Sequence, residues 1–487
     1  MYFTRLDRRR LLAGAASLCA FASLPAVARD MDSDVGPSLV AAINDPSRRQ
    51  AFYDAWLTEN ALKRRPAAWW AEFFDKVKAV SGGVELVSVV AREEEVLVRV
   101  RLKGHGIERI LTVLRDYRAP GKVWAVFSMP RPSAYEAPLL QRAASRRELA
   151  DAIRRRVEYA AKADEFSGVV RVVAPDGEAV FEGAYGFSDA ARTTPMKLSD
   201  RLHLGSADKS FTAILIGRLV EQGRLSFDTR LVEVIPAWGN RAAAEKITVR
   251  HLLTHTSGLG SLWDRPAYDG KKPLTRVSEL MPAFWDAEPA FEPGSRGSYS
   301  NEGFVALGGV IEALTGRSWW DELAEHIYAP AGMTRSGHFI STQPVEGRAV
   351  GFMYAEDDIL GVQGRKPNVE RHGYRGNSCG GGYSTVSDMT GYLRKLREGK
   401  LLSRTTTELM TRPVEGGLGG YGMGFICETL GSRTFFGHGG GGPASGVDGD
   451  NWICRETGWS ASILGNYDAP FTQMLSRDIR IMVAAQG

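Results

Sequence analysis

Cysteine is scarce, with four residues in a chain of 487. That excludes a disulfide-stapled scaffold, and a chain this long can bury a core without staples. Histidine is also rare, at eight residues. The nearest approach to a metal motif is His251 and His255, four apart on an expected helix. No glutamate follows the first histidine and no third ligand is evident, so a structural role is expected for the pair. Surplus charge is missing too. Of the formal +4, residues 1–28 supply +3 through Arg5, Arg8, Arg9 and Arg10 against Asp7, which leaves the remainder near +1. Such a chain has no basic footprint for nucleic acid. The glycine-rich runs lack the Gly-Lys-Ser/Thr ending of a phosphate loop, and no cofactor motif appears, so no cofactor is expected. After residue 28 no stretch approaches 18 uninterrupted apolar residues, so no membrane span is expected there.

What is present begins with an export pattern. Arg8-Arg9-Arg10-Leu11-Leu12 gives a twin-arginine start, Leu11 to Val27 is apolar and small, and Ala26-Val27-Ala28 is an Ala-x-Ala cleavage site. The stretch is short for a membrane anchor, and Cys19 follows the bulky Leu18, which suits lipidation poorly. The expectation is a twin-arginine signal peptide over 1–28 and a periplasmic or secreted protein. Cys379, Cys427 and Cys454 then remain. The strands expected to carry Cys427 and Cys454 are not direct neighbours, so all three are read as unpaired.

Composition is that of a globular chain, with 44% hydrophobic and 24% charged residues, and the length favours two domains. Residues 31–130 read as a small α+β domain. Asp45-Pro46 starts a helix with Phe52, Ala55 and Trp56 at helical spacing, and Pro66 opens another with Trp69, Phe73, Val77 and Val80 on one face. Four strand-like runs follow, Val84–Ala91, Val96–Lys103, Ile107–Arg115 and Val123–Phe127. This order resembles the cone-shaped fold of the nuclear-transport-factor type. Residues 130–142 read as a linker around Pro130-Arg131-Pro132.

The rest, 143–487, opens with a helix from about Leu140 to Lys162 and a hairpin, Gly168–Ala174 with Glu178–Tyr185. A mostly helical insertion follows, from Ser206 to about Arg335. A helix from Ser384 to Lys400 leads to four more strands, Tyr421–Cys427, Arg433–Gly437, Gly446–Arg455 and Trp459–Asn466, and a last helix from Leu475. Strands from both ends are expected to share one antiparallel sheet.

Three fragments carry chemistry. Ser206-Ala-Asp-Lys209 opens a run that is apolar on every side from Phe211 to Val220, the mark of a buried helix. Residues three apart are neighbours on a helix, so the Lys209 amine can reach the Ser206 hydroxyl. A serine is a weak nucleophile until something takes its proton. Tyr299-Ser300-Asn301 places a phenol and an amide two residues apart, pointing the same way in an extended loop. His438-Gly439-Gly440 follows an expected strand, Thr434–Gly437, and its glycines let another backbone come close. Taken alone, each fragment has a plain structural explanation: a capping serine, a turn tyrosine, a glycine-rich hairpin.

In this order the three fragments resemble the Ser-x-x-Lys, Tyr-x-Asn and Lys-Thr-Gly elements of the class C β-lactamase and D,D-peptidase family. Ile247–Leu259, Gly380-Gly381-Gly382-Tyr383-Ser384-Thr385 and Tyr421-Gly422-Met423-Gly424-Phe425 add to the likeness, which covers about residues 145–470. It implies a β-lactamase/transpeptidase-like fold of mixed α/β class, an antiparallel sheet flanked by helices plus an all-helical subdomain. It also implies an acyl-enzyme on Ser206, Lys209 and Tyr299 as the proton-transfer pair, and Asn301, His438 and Gly440 as substrate contacts. The backbone N–H groups of Ser206 and Gly441 form the oxyanion hole in that scheme. Substrates would be small molecules or short peptides with an amide or ester bond. The departure is His438, which stands where the lactamases carry lysine; relatives with histidine there are D-aminopeptidases or esterases. A true β-lactamase and a catalytically idle penicillin-binding-like protein are the alternatives. The role of Asp208, between nucleophile and lysine, is not legible at this level.

Overall fold

A computed structural model describes residues 27–486 except 92–94, 117–118, 120, 128–144, 356–357, 372 and 443. The expected signal peptide and linker fall almost wholly outside the described residues. The chain forms two compact units.

The first unit holds residues 27–127. Helix α1 (Val27–Asn44) leads, followed by α2 (Arg49–Trp56), α3 (Glu59–Arg64) and α4 (Ala67–Ser81). Asp45 caps the turn before α2, its carboxylate accepting the Ser47 N–H, and Gly82 ends α4 in the left-handed conformation. Strands β1 (Val84–Ala91), β2 (Glu95–Leu102), β3 (Glu108–Arg115) and β4 (Val123–Phe127) make one antiparallel sheet in sequence order. Helix α1 lies outside the sequence expectation. Gly36-Pro37 in its middle reads as a break, yet Gly36 is what brings the helix close to the sheet: a Cβ there would lie 2.5 Å from Val89 Cγ2. The core gathers Leu39, Phe52, Trp70, Phe74, Val98 and Leu111, all fully buried. It also takes in Leu360. Residues 354–366, assigned from the sequence to the second domain, belong to this unit. Arg109 fixes them by donating to the carbonyls of Leu360 (2.7 Å) and Gly361 (3.0 Å). One leucine in an ordinary loop gives no sign of such a partner, which is why the sequence points to a contiguous boundary.

The second unit opens with α5 (Arg146–Lys162), capped by Ser145; the expected start at Leu140 lies outside the described residues. Strands β5 (Gly168–Val173) and β6 (Ala179–Tyr185) form the hairpin, then β7 (Leu202–His203) leads to α6 (Asp208–Glu221). Short helices α7 (Leu231–Val234), α8 (Arg241–Ala244) and α9 (Val249–Leu253), then α10 (Asn301–Thr315), α11 (Trp319–Leu323) and α12 (Ala329–Ala331), build the helical region. Strands β8 (Phe352–Met353) and β9 (Lys366–Pro367) pair with each other at the two ends of the 354–366 excursion. Next come β10 (Tyr383–Ser384), α13 (Val386–Arg397) and α14 (Arg404–Met410). Strands β11 (Ile426–Leu430), β12 (Arg433–Gly442), β13 (Val447–Cys454) and β14 (Ser460–Gly465) precede the closing helix α15 (Phe471–Ala484).

The main sheet runs β11-β12-β13-β14-β5-β6, every pair antiparallel, so strands from both ends of the unit do share it. Two strand readings need correction. Tyr421–Cys427 is not a strand; the strand starts at Ile426, and Tyr421 only bridges to it. Strand β12 does not stop at Gly437 but carries His438 and four glycines through to Gly442. Glycine runs read as strand ends because they pack no side chain; here flanking backbones take up that space. The three cysteines are free and buried, with β12 lying between the strands of Cys427 and Cys454.

Candidate active site

Gly205 (φ 55°) turns the chain out of β7, and Ser206 sits in the 3₁₀ turn Gly205–Ala207 just before α6. Ser206 is half-buried, whereas Lys209 in the first turn of α6 is fully buried. The Lys209 amine lies 3.2 Å from Ser206 Oγ, 2.8 Å from Asn301 Oδ1 and 2.5 Å from the Cys379 carbonyl. These three oxygen partners fix the nitrogen beside the hydroxyl. It also sits over the rings of Tyr299 (4.8 Å to the centroid) and Phe304 (5.5 Å). The Asn301 carbonyl oxygen is one of the groups that hold the lysine.

Strand β12 reaches the same point. His438, Gly440 and Gly442 share one face of the strand. A Cβ at Gly440 would lie 2.1 Å from the Leu204 carbonyl oxygen and 2.4 Å from the Ser206 nitrogen, and one at Gly205 would lie 2.6 Å from the Gly441 nitrogen. The Ser206 turn and the strand are thus in backbone contact, which brings the Ser206 and Gly441 amides to adjoining positions. From the other side, Leu204 donates to the Gly382 carbonyl (2.8 Å) and Gly381 to that of Gly205 (3.1 Å).

Asp208 now has an account. Its Oδ2 accepts the Gly382 N–H at 2.6 Å and meets His338 Nε2 at 3.1 Å, and His338 Nδ1 meets the Tyr328 hydroxyl at 3.2 Å. The carboxylate ties the glycine-rich segment to the helix that follows Ser206. His338 lies in a stretch with no periodicity and gives no signal in the sequence.

His438 is buried and both ring nitrogens are engaged. Nδ1 lies 2.5 Å from the Gly439 carbonyl, so it carries the proton, and Nε2 accepts the Tyr421 hydroxyl at 2.9 Å. Burial, and after it the Lys209 charge, push this imidazole down to about 3. It is a neutral group. Tyr421 and His255 are neighbours of the site that sequence reasoning misses, although both lie in the stretches that carry the family likeness. His251 and His255 do not act together: α9 ends at Leu253, His251 Nδ1 accepts the Thr248 N–H at the start of that helix, and His255 turns inward.

A family model described as Beta-lactamase matches residues 149–486. The chain belongs to the beta-lactamase family. It is 30% identical over 330 residues to a D-aminopeptidase of Brucella anthropi, covering 66% of this chain and 60% of the relative, so it spans under two thirds of that protein. It is 28% identical over 338 residues to the esterase EstB of Burkholderia gladioli, covering 61% of this chain and 86% of the relative. A solved penicillin binding protein from Bacillus halodurans matches with a TM-score of 0.58 at 26% identity, over 68% of this chain and 99% of that one. The second unit has the beta-lactamase/transpeptidase-like fold, a mixed α/β arrangement.

In this beta-lactamase family member the strand behind the site carries a buried acid. Asp448 on β13 pairs with Gly441, and its Oδ2 accepts the Thr472 N–H at 2.7 Å. Burial pushes its carboxyl up to about 8 against the lowering effect of the Thr472 hydrogen bonds. The folded state therefore holds a proton that the unfolded state releases near pH 4, and stability falls as pH rises from about 4 to about 8. Asp448→Asn should flatten that limb, gaining on the order of 4 kcal/mol relative to the wild type between pH 5 and pH 8. Chemical denaturation at the two pH values is the check; parallel curves for the two proteins would contradict it.

Proposed function

We propose that this chain is an exported serine hydrolase that cleaves amides or esters through an acyl-enzyme on Ser206. The observation that carries the reading is the Lys209 amine, enclosed, held by Asn301 and the Cys379 carbonyl, and 3.2 Å from Ser206 Oγ. Ser206 Oγ attacks the substrate carbonyl carbon while its proton passes to the Lys209–Tyr299 pair, which delivers it to the leaving amine or alcohol. The Ser206 and Gly441 N–H groups receive the oxyanion. Water then attacks the acyl carbon by the reverse proton route and frees Ser206. Export rests on the twin-arginine pattern and Ala-x-Ala site of residues 1–28.

The substrate class follows from His438. A lysine at this place offers a permanent charge to a carboxylate beside the scissile bond. A neutral histidine whose nitrogens serve Gly439 and Tyr421 offers none. Uncharged esters, or D-amino-acid amides bearing an amine, fit this site better than penicillins and cephalosporins. A panel of a p-nitrophenyl ester, a D-alanine p-nitroanilide and nitrocefin tests this. The expected kcat/KM for the best neutral or amine-bearing substrate exceeds that for nitrocefin by about 10- to 100-fold, the worth of one charge-assisted hydrogen bond. Nitrocefin turnover at pH 8 equal to that of the ester would refute the assignment.

A further inference from the structure

We propose that His255 is the positioning residue for Tyr299, gripping the tyrosine's two flanks and its ring at once. The inference rests on the reading of Tyr299 as a proton carrier. Ser298 and Ser300 stand on either side of Tyr299. The His255 carbonyl accepts the Ser298 N–H at 2.8 Å, and the His255 Nδ1 accepts the Ser300 N–H at 3.0 Å. The His255 ring lies against the Tyr299 ring with centroids 4.2 Å apart and planes 34° from parallel. One residue thus sets the backbone before the tyrosine, the backbone after it, and the face of the phenol. That phenol ring is also the one over which the Lys209 amine sits.

The grip depends on one tautomer. A nitrogen that accepts an N–H cannot carry a proton, so the ring proton of His255 is on Nε2. Nε2 is enclosed and has no hydrogen-bond partner among the described residues. The rings of Phe304 (5.1 Å) and Tyr421 (4.7 Å) complete the enclosure. Protonating Nδ1 would turn two donors on each other at Ser300, and would add charge beside Lys209. Burial first, then the Lys209 charge, hold the imidazole well below its ordinary range. His255 also sits in the left-handed region (φ 59°), which asparagine, like histidine, adopts more readily than most residues. Such backbone strain is kept where surrounding structure over-determines it.

A double-mutant cycle separates positioning from simple support. His255→Phe keeps a ring and removes the acceptor for Ser300; His255→Asn keeps a short acceptor and the tolerance for positive φ. Each is made in the wild type and in Tyr299→Phe, and the p-nitrophenol burst, kcat, KM and melting curve are measured with a p-nitrophenyl ester. His255→Phe is expected to lower the burst rate and kcat by about 100-fold, the scale of a displaced catalytic group, with KM within about twofold. His255→Asn should recover part of that loss. In the Tyr299→Phe background both substitutions should cost less than about threefold in kcat, because the group they position is already gone. Losses that multiply across the cycle, or a wild-type burst rate in folded His255→Phe, would overturn the inference. Should His255→Phe fail to fold, His255→Asn alone completes the cycle: a loss confined to the Tyr299 background supports positioning, and a loss that multiplies overturns it. A wild-type rate in Tyr299→Phe itself would instead overturn the role of Tyr299, and the inference with it.

Discussion

Ser206→Ala leaves the protein folded and removes turnover on every ester and amide, a loss on the order of 10⁶-fold, the scale seen when an acylated serine is deleted elsewhere. The fold does not depend on the hydroxyl. Ser206 is half-buried, and its side-chain hydrogen bond is to Lys209, which keeps Asn301 and the Cys379 carbonyl as partners. The backbone contacts of the turn, from Leu204 and Gly205 to the 381–382 segment, involve no side chain at 206. A fluorophosphonate should add one adduct to the wild type, on the peptide containing Ser206, and none to the variant. An adduct on another serine, or residual turnover within tenfold of the wild type, would remove the nucleophile assignment.

Gly440→Ala is expected to be nearly as damaging without touching a reactive side chain. The added methyl would meet the Leu204 carbonyl oxygen at 2.1 Å and the Ser206 nitrogen at 2.4 Å. Both are backbone atoms of the turn that carries Ser206, so neither can move aside without moving that residue. Separation of the two chains withdraws Gly441 from Ser206 and opens the oxyanion pair, at about 100- to 1,000-fold in kcat, the worth of one such donor. Overpacking adds about 1–3 kcal/mol of destabilisation. Steady-state kinetics beside a denaturant melt distinguish the two effects. A folded variant with wild-type kcat would mean that this close approach plays no part in catalysis.

How far the sequence can be read depends on the range of the interactions. The Ser206–Lys209 contact is set by helical spacing and is legible, as are the alternating strands of the main sheet. Strand β12 reads too short, because its pairing is decided by β13 and by the Ser206 turn and not by its own glycines. Helix α1 escapes notice because Gly36-Pro37 breaks the local pattern while packing on Val89 and Val98 rewards it. Asp208, His255 and Tyr421 act through partners 130, 45 and 17 residues away, and no local rule reaches that far. The neutrality of His438 follows from its residue type, but nothing local shows that its Nε2 is already engaged by Tyr421.

The 354–366 excursion makes the first unit a body woven from two separate lengths of chain. Its core is closed only when Leu360 arrives from a segment made some 230 residues after β4 has left the ribosome. Residues 27–127 must therefore wait, incomplete, until most of the second unit has been synthesised. The second unit is finished later still: when Leu360 is in place its main sheet has only β5 and β6, and β11–β14 and helix α15 are yet to be made.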